Sequence, residues 1–194
     1  VEMMRLFNKE TIIVYNTYQM YRHDKLADLK ADHLIAKAAG YVLGVKMVRG
    51  AYMEKERKRA EEMGYPSPIQ PTKEASDTDY DESLRYCMAH IDEIAFVCGT
   101  HNEESCRLLA ELLDKNKIAH NHPHVYFAQL LGMSDNLSFN LSDAGYNVAK
   151  YVPYGPVKAV MPYLFRRAQE NTSIAGQTSR ELGLIMKEKK RRRL

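Results

Sequence analysis

The sequence predicts an α/β fold in which parallel strands alternate with crossover helices. Two observations carry this prediction. Short runs of β-branched and apolar residues recur five times, and longer stretches with apolar residues at helical spacing separate them. This alternation is typical of parallel sheets, because a helix must carry the chain back between neighbouring strands. A doubly wound sheet and a (βα)8 barrel both fit, and sequence period alone does not distinguish them. No G-x-G-x-x-G motif follows the first strand, so the signal of a Rossmann dinucleotide site is missing.

The predicted strands are runs of residues that favour extended structure, bounded by turn residues. In chain order they comprise residues 11–18, 44–52, 94–99, 125–130 and 150–154.

Helices are predicted where apolar residues recur every three or four positions, and Pro156 opens the last one at its favoured first position. The other predicted helices comprise residues 26–39, 54–63, 79–90 and 103–115. We expect residues 1–186 to form one catalytic domain. The basic run in 187–194 is expected to be a flexible, solubilising tail.

Composition limits the class of protein. The 194 residues carry a net charge of only +3, which gives no reason to expect nucleic acid as a partner. No apolar run approaches the ~20 residues that a membrane-spanning helix needs. The three cysteines lack C-x-x-C spacing, which favours reduced thiols in an intracellular protein. The chain begins with Val1 rather than Met, which suggests a fragment.

Polar side chains gather at the carboxyl ends of the predicted strands, where a barrel enzyme places its chemistry. This clustering is the main indication of an enzyme from the residues themselves. Its members are Asn16, Tyr18, Arg49, Tyr52, Thr100, His101, Asn102, Gln129 and Tyr151.

One predicted helix near the end of the chain carries Arg166, Arg167 and Glu170. Arginine's planar fork suits a carboxylate, and a nearby glutamate suits an amine. Together these side chains could bind both ends of a zwitterionic amino acid. A solvated surface helix with an Arg166–Glu170 ion pair is the alternative, and spacing alone favours it.

Three further motifs have two interpretations each. Gly50, at a strand end, could let a planar ring approach the backbone, or it could belong to an ordinary βα turn. Residues 100–102 could hold a polar cofactor edge, or could cap the following helix, and both can hold together. The histidines at 120, 122 and 124 lack a usual ligand spacing, and we expect a solvated loop without metal.

Five segments resemble the proline dehydrogenase family, and they match in order along most of the chain. They read VKMVRGAYMEKERKRA, GYPSPIQPTKEASDTDYDE, FVCGTHNEES, VYFAQLLGMSDNLSF and KYVPYGPVKAVMPYLFRRAQENTS. The sequences of these segments are more similar to those of the monofunctional, mitochondrial-type members than to those of the bifunctional bacterial ones. The resemblance implies the C-terminal portion of a distorted (βα)8 TIM-type barrel, with about five parallel strands and a final helix, holding FAD non-covalently.

The resemblance also implies an activity, namely oxidation of L-proline to Δ1-pyrroline-5-carboxylate by hydride transfer to FAD N5. A quinone would accept the electrons, and the reaction would be the first step in the catabolism of proline to glutamate. The resemblance further implies that the protein associates with a membrane surface. The implied location is the bacterial cytoplasm or the inner face of its membrane, or the mitochondrion of a eukaryote. The family's earlier strands are not among these 194 residues, so we expect the chain alone to be poorly active.

Site residues follow from the resemblance position by position. Arg166 and Arg167 would hold the proline carboxylate, with Glu170 beside the amine. Tyr151, Tyr163 and Leu130 would line the substrate pocket. The positions that match cofactor contacts are Lys46, Val48, Arg49, Gly50, Ala51 and Tyr52 along the flavin and its phosphates, Thr100, His101 and Asn102 at the FAD tail, and Asn16 and Gln129 at the flavin pocket.

Three other classes stay open on the residues alone. The arginine pair could serve an amino-acid-binding module without redox chemistry. Lys46 could form a Schiff base in a barrel lyase or aldolase. The basic tail could dock a purely structural partner.

Overall fold

The structure, a computed structural model, describes residues 2–173 and 177–192, with side chains described for 2–166 and 182–192. The chain divides into two compact units, Val1–Lys150 and Tyr151–Leu194. The elements are α1 (Glu2–Phe7), β1 (Asn16–Gln19), α2 (Lys25–Ala39), β2 (Leu43–Val48), α3 (Met53–Met63), α4 (Lys73–Ala89), β3 (Ile94–Gly99), α5 (Glu103–Lys115), β4 (Val125–Leu130), α6 (Asp135–Asp143), β5 (Val148–Tyr151), α7 (Val157–Ser173) and α8 (Gln177–Arg191). Among the described residues, no helix combines the length and the apolar character needed to cross a bilayer.

The five strands stand side by side in chain order, from β1 to β5. The pairs β1–β2, β2–β3 and β3–β4 are parallel. A doubly wound sheet reverses its strand order at a switch point, whereas a barrel keeps the order of the chain. The sequential order therefore decides between the two folds that the sequence left open, and it confirms a barrel segment.

The two faces of the sheet differ in burial. On β2, Leu43, Val45 and Met47 are fully buried, whereas Lys46 and Val48 on the opposite face are partly exposed. The register carries this alternation across β3 and β4, because paired residues share a face. We call the less buried side the open face; it consists of Lys46, Val48, Val97, Gly99, Tyr126, Ala128 and Leu130.

The bounds of β3, α5 and β4 agree with the sequence prediction, but β1 starts five residues later than predicted. Asn8 explains the late start. Its fully buried side chain accepts hydrogen bonds from the N–H groups of Ile13 and Val14 and donates to the carbonyl of Val14. These backbone groups would otherwise need a strand ladder.

Several other elements differ from the prediction. Helices α1 and α6 were not predicted, and α4 begins at Lys73 because the side chain of Thr72 accepts the N–H of Ala75. Helix α8 was not predicted either, and it continues through Arg191, across the predicted boundary after residue 186. The division into a catalytic domain at 1–186 and a tail at 187–194 stays a prediction.

Candidate functional site

Arg49 occupies the carboxyl ends of β2 and β3. Its Nε donates to Asp77 at 2.5 Å, and its two terminal nitrogens donate to the hydroxyls of Thr100 at 2.8 Å and Ser105 at 2.9 Å. The guanidinium carbon lies 4.2 Å from the centre of the Tyr80 ring, within range of a cation–π interaction. The structure thus joins two predicted site residues, Arg49 and Thr100, in one network.

Helix α4 supplies the acidic side of this network. Burial acts to raise the pKa of Asp77, but hydrogen bonds from Lys73 and Arg49 outweigh it and hold the pKa below its ordinary value. Asp81 accepts the hydroxyl of Ser105 at 2.7 Å. Asp77, Tyr80 and Asp81 were not predicted from the sequence, although their i, i+3, i+4 spacing marks one polar face of a helix.

The residues at 100–102 begin α5. The Asn102 side chain accepts the N–H groups of Glu104 and Ser105, and its own N–H donates to the Thr100 hydroxyl. The capping interpretation is therefore confirmed, while a cofactor contact stays a prediction. His101 is partly exposed, and its Nδ1 lies 3.0 Å from the Ser134 hydroxyl.

Gly50 has a ring of the protein beside it, and a cofactor contact at this glycine stays a prediction. Its φ is +119°, and a Cβ there would lie 1.5 Å from the Tyr21 ring. Tyr21 is 2% exposed, and its N–H donates to the carbonyl of Arg49. The space left by the missing side chain is filled by Tyr21, so in this structure the glycine admits a protein ring. The neighbours Ala51 and Tyr52 are exposed, and Tyr52 precedes α3.

Lys46, Val48 and Leu130 come together on the open face. A Cβ at Gly99 would lie 2.8 Å from the Met47 carbonyl oxygen and 3.1 Å from a Val48 methyl, so glycine keeps this part of the face flat. A flat apolar surface with one cationic side chain suits a planar heteroaromatic ring that gains negative charge. The chemistry of the open face therefore fits an isoalloxazine.

Two predicted flavin contacts lie elsewhere. Asn16 stands at the start of β1, opposite Val45, so it is on the helix-covered side and not at a carboxyl strand end. Gln129 is 2% exposed; its Nε2 donates to the Thr100 carbonyl, and its Oε1 accepts the Ser138 hydroxyl. The pleat turns both side chains away from the open face, and a flavin contact by either residue stays a prediction.

Tyr18 was grouped with Asn16 at the strand ends, and it too is internal. Its hydroxyl donates to Asp32 of α2 at 2.6 Å, and its ring is 2% exposed.

The second unit contains the predicted substrate residues other than Leu130. The rings of Tyr151 and Tyr163 lie 5.6 Å apart between centroids, and Arg166 is partly exposed. Helix α7 spans Val157–Ser173 and includes all three charged positions of the predicted clamp. The side chains of Arg167 and Glu170 lie outside the described residues.

The histidine loop has protein partners for its rings. His120 lies between Asp114 and the Ala144 carbonyl, and the Nδ1 of His124 contacts the Ile91 carbonyl. Absence of a metal at this loop stays a prediction.

The chain is similar to known proteins over nearly all of its length. A family model described as proline dehydrogenase matches residues 1–180. Among curated relatives, proline dehydrogenase 1, mitochondrial, of Homo sapiens is 43% identical over 195 residues, covering 99% of this chain and 32% of that protein. Hydroxyproline dehydrogenase of Xenopus laevis is 41% identical over 194 residues, covering 98% of this chain and 42% of that protein.

A solved structure gives the same fold. The crystal structure of proline utilization A from Bdellovibrio bacteriovorus, inactivated by N-propargylglycine, superposes with a TM-score of 0.82 at 28% identity. It covers 89% of this chain and 18% of that chain. The chain thus spans roughly a third of the length of the first curated relatives that it matches, 30% and 32% of two of them.

Proposed function

Because this chain belongs to the proline dehydrogenase family, we propose that it takes part in FAD-dependent oxidation of L-proline to Δ1-pyrroline-5-carboxylate. The single observation that carries the proposal is the family match over residues 1–180, which includes every predicted site residue. The open face of the sheet supports it chemically.

The open face would hold the flavin ring. Bound FAD would supply the hydride acceptor, while the protein orients the substrate and excludes water. Lys46 would place its ammonium against the ring edge that becomes negative on reduction. Gly99 has no side chain to project from β3 on this face. Val48 and Val97, which flank Gly99 on the open face, offer apolar contacts.

The carboxyl ends of β2 and β3 would hold the rest of the cofactor. Arg49 has five N–H donors, of which three are committed to Asp77, Thr100 and Ser105. We infer that Arg49 first fixes these two strand ends to each other and contributes positive charge toward the phosphates from that fixed position. Residues 50–52 and 100–102 then flank the same strand ends.

The substrate would be bound through its two charges and its ring. Arg166 and Arg167 would bind the carboxylate, and Glu170 would lie beside the amine. Tyr151, Tyr163 and Leu130 would contact the apolar ring. A carboxylate held by two fixed guanidiniums in a site closed to water also favours loss of the ammonium proton, which must leave before or during hydride transfer.

The remaining parts of the proposal concern partners. A quinone would take the electrons, at a membrane surface. Several curated relatives are named as mitochondrial, which supports an intracellular location.

Anaerobic reduction tests the proposal. Purified protein carrying the complete catalytic barrel, loaded with FAD, is mixed with L-proline, and loss of the oxidised-flavin absorbance is followed. We expect stoichiometric bleaching by L-proline and slower bleaching by 4-hydroxyproline. A colourless protein that binds proline would contradict the redox role, and faster bleaching by hydroxyproline would contradict the choice of substrate.

A matched pair of variants tests the clamp. Arg166→Ala is expected to weaken proline binding by on the order of 30-fold or more, because truncating one side of a buried charge pair costs about 2–5 kcal/mol. Arg107→Ala is the control, since Arg107 makes only exposed contacts to Glu104 and Glu111 on α5. Unchanged proline affinity in Arg166→Ala would refute the assignment.

A further inference from the structure

A cluster of potential metal ligands lies at the opposite end of the sheet from Arg49. It comprises His33 of α2, His90 at the end of α4 and Glu93 just before β3. One ligand atom from each of the three lies within 4.8 Å of those of the other two. None of these residues is among the predicted site residues, and the amino ends of barrel strands serve stability rather than catalysis.

The hydrogen bonds of His33 prepare it to bind a metal. The ring is 2% exposed; its Nδ1 lies 2.8 Å from the Tyr86 hydroxyl, and its Nε2 lies 2.7 Å from Glu93 Oε2. A metal-binding histidine usually has its second ring nitrogen fixed by such an outer partner. Tyr86 therefore orients the ring, and Nε2 points at the one carboxylate in the cluster.

His90 completes the set from the other side. Its ring centroid is 4.7 Å from those of both His33 and Tyr86. Zinc bonds of about 2.0–2.2 Å in a tetrahedron require ligand atoms roughly 3.3–3.5 Å apart, so closure demands movements of about 1–2 Å at most. His90 and Glu93 are both partly exposed, which gives an ion a path from solvent.

We propose that His33, His90 and Glu93 bind one Zn²⁺ ion, with water in the fourth position, and thereby fasten α2, the end of α4 and the start of β3. Two imidazoles and a carboxylate are ligands that zinc accepts and that Mg²⁺ and Ca²⁺ do not favour. The ion would compete with Lys37, whose Nζ lies 2.7 Å from Glu93 Oε1 but whose side chain is 59% exposed and free to swing away.

Calorimetric titration of chelator-treated protein with ZnCl2 tests the site. We expect one ion per chain, tetrahedral visible absorbance when Co²⁺ replaces Zn²⁺, and no binding of Mg²⁺. A ligand that binds only the folded state also raises the melting temperature. His90→Ala should weaken Zn²⁺ binding by at least about 10–100-fold and remove this thermal shift. His120→Ala, which removes an imidazole outside the cluster, should change neither.

Two further variants separate a metal site from a purely hydrogen-bonded cluster. Tyr86→Phe removes only the outer hydroxyl and should weaken Zn²⁺ binding about 10–100-fold, which keeps the test valid if His90→Ala does not fold. Lys37→Met should tighten binding, because it removes the cation that competes for Glu93. The proposal would be overturned if the wild type bound no Zn²⁺ or if His90→Ala bound it as tightly as the wild type. It would also be overturned if His120→Ala lost as much Zn²⁺ affinity as His90→Ala.

Discussion

Gly50 offers the sharpest test of how the candidate site is built. The change Gly50→Ala adds one methyl group between β2 and α3, at a φ of +119° that L-residues rarely adopt. The new Cβ would lie 1.5 Å from Cε1 and 1.7 Å from Cδ1 of the buried Tyr21 ring. The Tyr21 N–H donates to the Arg49 carbonyl at 2.8 Å, which holds the two backbones together, and the ring is 2% exposed, which leaves it little room to move.

The expected loss has two parts. Forcing alanine into this backbone conformation costs about 1–3 kcal/mol, and overpacking against Tyr21 adds about 1–3 kcal/mol. Gly64→Ala is the matched control, because Gly64 has a φ of +71° and a Cβ there would meet no atom within 4 Å outside its own helix and chain neighbours. It should lose only about 1–2 kcal/mol from backbone strain. For a chain of this length each kcal/mol lowers Tm by about 2–4 °C.

Thermal and urea unfolding of the two variants provide the measurement. We expect Gly50→Ala to be the less stable by roughly 1–3 kcal/mol, which is the steric part. In a double-variant cycle, Tyr21→Ala should reduce the cost of Gly50→Ala, since the colliding ring is gone. Equal losses in Gly50→Ala and Gly64→Ala would refute the packing argument.

Three other predictions concern the same unit. Asn102→Ala should destabilise the protein by about 1 kcal/mol in urea unfolding, whereas Asn102→Ser should keep the cap; flavin loss in the serine variant would then report a cofactor contact. Arg49→Gln should cost about 1–3 kcal/mol at neutral pH. Because the folded-state pKa of Asp77 is depressed, the part of this advantage that comes from the Arg49–Asp77 pair is complete above the ordinary value of 3.8 and is lost as pH falls through the folded-state pKa. The part that comes from Thr100, Ser105 and Tyr80 remains. Unfolding at pH 7 and pH 3 would measure the difference. The pKa of His120 should lie above 6.5, because of its hydrogen bond to the Ala144 backbone and the Asp114 carboxylate. The pKa of His122 should lie below 6.5, because of burial and a neighbouring histidine. An NMR titration measures both values, and the reverse order would contradict the structure.

Local signals explain which elements were predictable. The run at 94–99 is apolar and β-branched, and Asn102 with two glutamates marks the start of α5, so β3 and α5 were bounded correctly. The start of β1 was not predictable. Residues 11–14 favour a strand by composition, yet a buried Asn8 side chain accepts the N–H groups of Ile13 and Val14.

The candidate site, too, was predictable only in part from the sequence. Arg49 and Thr100 were predicted because both follow strands, and parallel strands end at one edge of a sheet. Asp77, Tyr80 and Asp81 were missed because they approach Arg49 from a helix far along the chain. The faces on which Asn16 and Gln129 lie were not predictable, because a residue's face depends on register, and a shift of one residue reverses it.

Sequence by itself determined the alternation of strands and helices, the family and the chemical types at the strand ends, since these depend on local composition and motif. Tertiary structure alone decided that the strands keep chain order, which side of the sheet stays open, and that the Tyr21 ring lies where a side chain at Gly50 would be. Those outcomes depend on long-range pairing and packing, in which residues distant along the chain compete for the same hydrogen bonds and the same volume.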